Sequence, residues 1–231
     1  MSFNTQPVYT DPPDAIELRK QMVTRQLVDK GITSIAVLEV MRMVPRHWFI
    51  PRASLADAYG DHPVAIAHGQ TISQPYMVAK MGELVEASCG QLTEDSQGAN
   101  LVRALEIGSG SGYFAAVLSF IVGKVVGVDC QGDLVEGARA VLKRLGIGNV
   151  LLVEGDGKAG VLAEAPYACI VGSCAVREVP AAWGEQLIPG GFLLFPRELN
   201  SGEQRLERWT WEGDGWAAKE SIFAVRFVPL L

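Results

Sequence analysis

The sequence has little that would carry the chain into a membrane or onto a polyanion. None of its apolar runs reaches the roughly 20 residues of a membrane-spanning helix. The polar opening segment, with Pro7, Pro12 and Pro13, does not read as a secretion signal. The expected location is the cytoplasm. Basic charge is also short: 20 Lys and Arg stand against 26 Asp and Glu, a formal charge of −6, which argues against nucleic acid as a partner. Cysteine is scarce, and Cys89, Cys130, Cys169 and Cys174 show no metal-ligand spacing, so buried free thiols are expected and neither a metal site nor a disulfide framework. Histidine is scarcer still. His47, His62 and His68 form no H-E-x-x-H pair and are expected in loop or packing roles.

What remains is the composition of one soluble α/β domain: 231 residues, 48% of them hydrophobic and 20% charged. The expected division is an arm over 1–13 and a single domain over 14–231, the latter made of a helical, substrate-side segment (14–90) and a sheet (101–231). Apolar spacing predicts helices over 14–29, capped by Asp14 and stopped by Gly31, and over 34–43, ended by Val44 and Pro45. Residues 45–61 predict loop and short helix, and 62–76 neither regular period. A helix over 75–87 with Pro75 in its first turn follows, where Ser73 or Gln74 would cap it. The polar stretch 89–100 reads as a linker or exposed loop.

Residues 102–113 organise the rest: an apolar strand ending in Glu106 and Ile107, then Gly108, Gly110 and Gly112 on alternate positions, then a helix over 113–122. Strands over 124–129, 149–156, 167–171 and 191–195 alternate with helices over 134–145 and 179–187, the rhythm of a doubly wound, mostly parallel sheet. Strands over 206–211 and 221–228, joined by the turn-rich 212–215, predict a C-terminal antiparallel hairpin.

A strand, a tight turn and a helix N-terminus together suit a nucleoside. A dinucleotide fingerprint needs a third glycine where this chain has Tyr113, and the G-x-G-x-G pattern instead resembles the first motif of S-adenosylmethionine-dependent methyltransferases. Asp129, 21 residues after Gly108, is placed to accept from two ribose hydroxyls. Asp156 could accept from an adenine amino group, with Gly157 leaving room for the ring. No phosphate-binding lysine motif is present, which fits a sulfonium ligand without phosphates. A Ser/His/Asp hydrolase is disfavoured, since Ser73 lacks a G-x-S-x-G turn and Ser109 lies inside the glycine turn.

Longer stretches carry a more specific resemblance. Residues 44–51 (VPRHWFIP), 58–63 (AYGDHP), 69–76 (GQTISQPY), 155–157 (GDG), 186–191 (QLIPGG) and 225–230 (VRFVPL), with the glycine turn, resemble the protein-L-isoaspartate O-methyltransferase family. The resemblance implies a Rossmann-like methyltransferase fold with N-terminal helices. It implies methyl transfer from S-adenosylmethionine to isoaspartyl residues of damaged proteins and peptides, leaving S-adenosylhomocysteine and an ester that collapses to a succinimide. Ser73 is implied as the active-site serine. Cofactor contacts are implied at Gln70, Thr71, Ile72, Glu106, Ile107, Gly108, Ser109, Gly110, Gly112, Asp129, Cys130, Asp156 and Gly157, and substrate-side positions at Asp61, Tyr76 and Gln204. No metal is implied, and a monomer is expected. A carboxylate acceptor with a pKa near 4 is already ionised at neutral pH, so the reaction needs no general base. Two positions depart from the family pattern, Ala168 and Arg197, and are expected to border the substrate side of the sheet. The alternatives are therefore a related methyltransferase with a different acceptor, or a non-catalytic S-adenosylmethionine-binding module.

Overall fold

The computed structural model describes residues 11–94 and 102–231. The arm predicted for 1–13 lies largely outside them, but Asp11 is already fixed: it is buried and pairs with Arg19 at 2.7 Å. Helix α1 (Pro13–Gln21) starts one residue before its expected cap. The Pro12 carbonyl accepts from the Ala15 and Ile16 amides, and Asp14 sits inside the first turn, toward the positive end of the helix dipole. The path continues as a wider turn over Met22–Leu27 and a tighter one over Val28–Lys30, ending at Gly31 with φ +86°. Apolar spacing alone did not distinguish these changes of pitch. Helix α2 (Ile35–Met43) begins where expected, with the Ser34 hydroxyl accepting from the Val37 amide at 3.1 Å. A short α3 (Leu55–Ala58) follows.

The segment predicted to lack regular structure contains a minimal antiparallel hairpin, β1 (Val64–Ala65) and β2 (Thr71–Ile72). Helix α4 (Pro75–Glu94) then runs seven residues past its predicted end at 87. Ser88 and Cys89 are buried, so the packed face of the helix extends into what reads as a polar linker. The remainder of that linker, 95–101, lies outside the described residues.

The sheet begins with β3 (Arg103–Ile107), followed by α5 (Tyr113–Leu118), β4 (Lys124–Asp129), α6 (Gly132–Arg144) and β5 (Val150–Glu154). β6 (Tyr167–Gly172), α7 (Ala181–Glu185), β7 (Leu187–Glu198), β8 (Gln204–Trp211) and β9 (Trp216–Val225) complete it. Among the described residues the strand order is β5-β4-β3-β6-β7-β8-β9, parallel through β7 and antiparallel beyond it. The chain therefore moves outward from β3 in one direction and returns to its other side at β6. That reversal opens a crevice beyond the carboxyl ends of β3 and β6.

Strand periodicity sends alternate residues to opposite layers. Ala104 and Val125 join the core under the N-terminal helices and α4 to α6, while Leu105 and Val126 join a second core with Trp183, Leu193 and Phe195. The two layers explain the near-continuous apolar strands, since a parallel sheet is covered on both faces. At the first layer Gly112 (φ +79°) lies so close to α6 that an added Cβ would stand 2.7 Å from that of Ala138. Left-handed strain and this overlap together predict that Gly112→Ala lowers stability in urea titration by about 2–4 kcal/mol. Gly137→Ala, with nothing within 4 Å, should instead raise stability by up to about 1 kcal/mol.

Candidate active site

The glycine turn is held to β4 by three backbone-directed contacts. Gly108 and Ser109 amides donate to the Val128 carbonyl at 2.8 and 3.1 Å. The Gly110 amide donates to Asp129 Oδ2 at 2.7 Å, and Oδ1 accepts from the Gln131 amide at 3.0 Å. Asp129 thus ties the turn to the start of α6. Each of its oxygens retains acceptor capacity toward the pocket that it lines.

Beside the turn, Glu106 is 1% exposed in the middle of the reversal, between Gly127 of β4 and Val171 of β6. The Ser173 hydroxyl donates to its Oε1 at 2.8 Å, while Oε2 is buried without a partner. Burial pushes the carboxyl up to about 8, the Ser173 hydrogen bond and the nearby Ala115 amide oppose the shift, and the negative charge of Asp129 adds to it. Between its ordinary value of 4.5 and 8, folded Glu106 keeps a proton that the unfolded chain has lost. The group is therefore neutral in its effect on stability below about pH 4.5 and destabilises increasingly as pH rises toward 8.

The front segment supplies the facing wall. Thr71, Ile72 and Ser73 share a crevice with Glu106, Gly108, Ser109, Gly110 and Ser173. Met77 and Val78 amides donate to the Gln74 carbonyl, so Gln74 holds the cap position of α4 and Ser73 precedes it, beside the glycine turn. Around Gly108 lies a second pocket, lined by Gln70, Asp129, Cys130, Gly157 and Cys174 and closed by Pro229, Leu230 and Leu231. Burial, with Asp129 and Glu106 adding to it, pushes the Cys174 thiol up to about 12, so it forms a neutral wall.

Several residues expected at the site lie behind it. Ile107 is fully buried, with its carbonyl accepting from the Ser173 amide at 2.8 Å. Gly112 faces α6. Asp156 is exposed and accepts from the Lys158 amide at 2.8 Å, while the neighbouring Gly157 lines the pocket. Asp61 pairs with Lys30, whose ammonium lies 5.9 Å from the Tyr76 ring centroid, and neither Asp61 nor Tyr76 lines the crevice. Gln204 Nε2 donates to the Phe227 carbonyl at 3.2 Å and its Oε1 accepts from the Phe227 amide at 2.7 Å, which ties the start of β8 to the C-terminal segment.

The two departures also move. Ala168 is buried at the start of β6, at the opposite end of that strand from Ser173, and Arg197 lies 3.6 Å from Glu207 with its guanidinium over Trp209. Neither lines the crevice. Sequence reasoning missed Ser173, Cys174 and the 229–231 wall. The small-residue run after β6 was visible, but its register against Glu106 was not. The histidines do not gather on Ser73: His47 meets Tyr59 at 2.7 Å, His62 meets the Pro63 carbonyl at 3.1 Å, and His68 meets Asp133 at 2.8 Å.

These acceptors suit S-adenosylmethionine. Its ammonium would complete the unpartnered Glu106 Oε2, and its ribose hydroxyls would meet the free acceptor capacity of Asp129. Among the described residues no group of three or more His, Cys, Asp or Glu could hold a metal ion. No helix of the described residues is long and apolar enough to cross a membrane.

Comparison with known proteins gives the same answer. The family described as protein-L-isoaspartate(D-aspartate) O-methyltransferase (PCMT) matches residues 18–231. Protein-L-isoaspartate O-methyltransferase 2 of Pelobacter propionicus is 42% identical over 229 residues, covering 96% of this chain and 97% of its own. The Methylorubrum extorquens enzyme is 42% identical over 232 residues, covering 100% of this chain and 96% of its own. A solved protein-L-isoaspartate O-methyltransferase superposes with a TM-score of 0.78 at 30% identity, over 91% of this chain and 65% of that longer one. A Plasmodium falciparum protein described as a beta-aspartate methyltransferase, in complex with S-adenosyl-L-homocysteine, superposes with a TM-score of 0.77 at 25% identity, covering 92% and 98%.

The state of Glu106 generates a measurable consequence. Binding of S-adenosylhomocysteine, which carries the same ammonium, should release about one proton near pH 6.5 and none above about pH 9. Calorimetry in buffers of different ionisation enthalpy counts that proton. Glu106→Gln should abolish the release, and a release that persists in this variant would place the titrating group elsewhere.

Proposed function

The chain belongs to the protein-L-isoaspartate O-methyltransferase family, and we propose that it methylates the α-carboxylate of L-isoaspartyl residues in damaged proteins and peptides, initiating their repair through a succinimide. The observation that carries this reading is the convergence of Ser73, from the front segment, with Glu106 and Ser173, from the sheet reversal, on one crevice. When bound, S-adenosylmethionine supplies an electrophilic methyl group and leaves as S-adenosylhomocysteine.

The chain's own contribution is placement. An isoaspartyl carboxylate is ionised before it arrives, so the site needs no base, and the distance of the histidines from Ser73 carries no catalytic cost. We assign Ser73 the orientation of the acceptor through its hydroxyl, and Thr71 and Ile72 the wall along which the reacting groups align. Glu106 fixes the ammonium end of the donor, Asp129 and Cys130 flank its ribose, and Gly108 and Gly157 line the nucleoside pocket. Partial removal of water from the acceptor, with in-line positioning, supplies the rate enhancement.

Residues 14–231 act in this reading as one catalytic domain, working as a monomer in the cytoplasm. The net charge of −6 supports a protein rather than a nucleic-acid partner. Ala168 and Arg197 both lie outside the crevice, which supports the isoaspartyl acceptor over a different one.

Incubation with an isoaspartyl peptide and radiolabelled S-adenosylmethionine should give a base-labile methyl ester, with none above background on the matching normal aspartyl peptide. Equal labelling of both peptides, or none of either, would sink the assignment. Ser73→Ala should lower turnover about a hundredfold through misplacement of the acceptor while leaving S-adenosylhomocysteine affinity unchanged.

A further inference from the structure

The β1–β2 hairpin closes through residues 67–70 in an unusual way. The Gln70 amide donates to the Ala67 carbonyl at 3.1 Å across His68 (φ +59°, ψ +27°) and Gly69 (φ +68°), so both central residues are left-handed. Turns of this type favour Asn-Gly or Asp-Gly. Here the first position is a histidine, the one non-glycine residue with positive φ among the described residues. A backbone outlier of this kind persists where its surroundings hold it.

The holding contact is specific. His68 Nε2 lies 2.8 Å from both carboxylate oxygens of Asp133, in the first turn of α6, and this hydrogen bond keeps the Asp133 carboxyl below its ordinary value. The partners are 65 positions apart, and between them they tie the hairpin to the element that starts just after Asp129. Next to His68 in the hairpin, Ile66 covers the glycine turn: its Cδ1 would stand 3.6 Å from a Cβ added at Gly110. Thr71 and Ile72, on the return strand, form the crevice wall.

With the hairpin in this position the site is narrow. The crevice at Glu106 and the adjoining pocket at Asp129 each hold about 40 Å³ of free space, room for one or two waters. A cavity of about 310 Å³ lies beside the latch, between the hairpin, the loop after Trp48 and α6. The hairpin is therefore unpacked on that side, where it has free volume to move.

We infer that β1–β2 is a lid over the S-adenosylmethionine site and that the His68–Asp133 pair is its latch, opening to admit the donor and to release S-adenosylhomocysteine. His68 and Asp133 are positioning residues in this scheme. They touch neither reactant, and they set how long the wall bearing Thr71 and Ile72 stays against the glycine turn. The inference rests on the methyltransferase reading of the crevice.

Stopped-flow measurement of S-adenosylhomocysteine binding to the full chain tests it without a peptide substrate. His68→Asn keeps a residue that tolerates the left-handed turn, and Asp133→Asn keeps the size of its partner. Each should raise both the association and the dissociation rates about three- to fivefold, the scale of one exposed polar pair. The double variant should go no further than either single one. Melting temperatures within two degrees of wild type would exclude unfolding as the cause. Unchanged rates, additive effects, or a change confined to dissociation would overturn the latch, the last by making His68 a ligand contact. Absence of any S-adenosylhomocysteine binding would instead overturn the methyltransferase reading, and the latch with it.

Discussion

A carboxylate buried without a full set of partners is a cost that a fold carries only where something else will meet it. Glu106 lies at the point where the parallel sheet reverses direction, out of water, with one oxygen bonded to Ser173 and the other unpaired. The surrounding architecture follows from putting a charge-bearing group there. The glycine turn brings backbone amides close beside it, Asp129 pins that turn, and the front segment lays Thr71 to Ser73 across the opening. Remove the reversal and the carboxylate would be an ordinary surface acid. Remove the carboxylate and the crevice would offer nothing to distinguish an ammonium from water.

The front segment and the sheet are joined by more than apolar contact. Arg46 is fully buried, donates from Nε to the Ala58 carbonyl at 2.8 Å, and lies 5.0 Å from the centroid of the Tyr113 ring. Loss of water lowers its pKa to about 10. Tyr113 is the first residue of the helix after the glycine turn, so a buried cation under its ring fixes the N-terminal helices to the element that orients that turn. The same tyrosine that breaks the dinucleotide fingerprint thus anchors the helical segment.

Much of this was legible where periodicity is strong and local. The strand over 124–129 is observed at its predicted bounds because five consecutive residues, ending in an acid, bury on a parallel sheet and a polar loop follows. Helix ends were less legible. α4 continues because Ser88 and Cys89 pack, a fact of tertiary contact invisible to composition. The β1–β2 hairpin went unseen because each strand is two residues long and its turn bears His-Gly instead of the usual Asn-Gly. Glu106 and Asp129 could be placed from motif spacing, whereas Ser173 could not: its role depends on the register of β6 against β3, set across 67 positions of chain. The Phe227 backbone partner of Gln204 was illegible for a complementary reason. A polar side chain at a strand start says nothing about whether its partner is a ligand or the chain's own backbone.

The aromatic side of the molecule has an optical consequence. The Trp183 indole donates to the carbonyl of Gly157, on the pocket wall, at 2.9 Å. From Trp183 a run of edge-on rings passes through Phe195 to Trp209 and Trp216, with Trp211 beside them. Four of the chain's five tryptophans therefore emit from one connected cluster behind the sheet. Ultraviolet fluorescence of this protein is a gauge of the β7–β9 layer, which meets the pocket wall through the Trp183 hydrogen bond and through Ile107 and Cys174 in the same core.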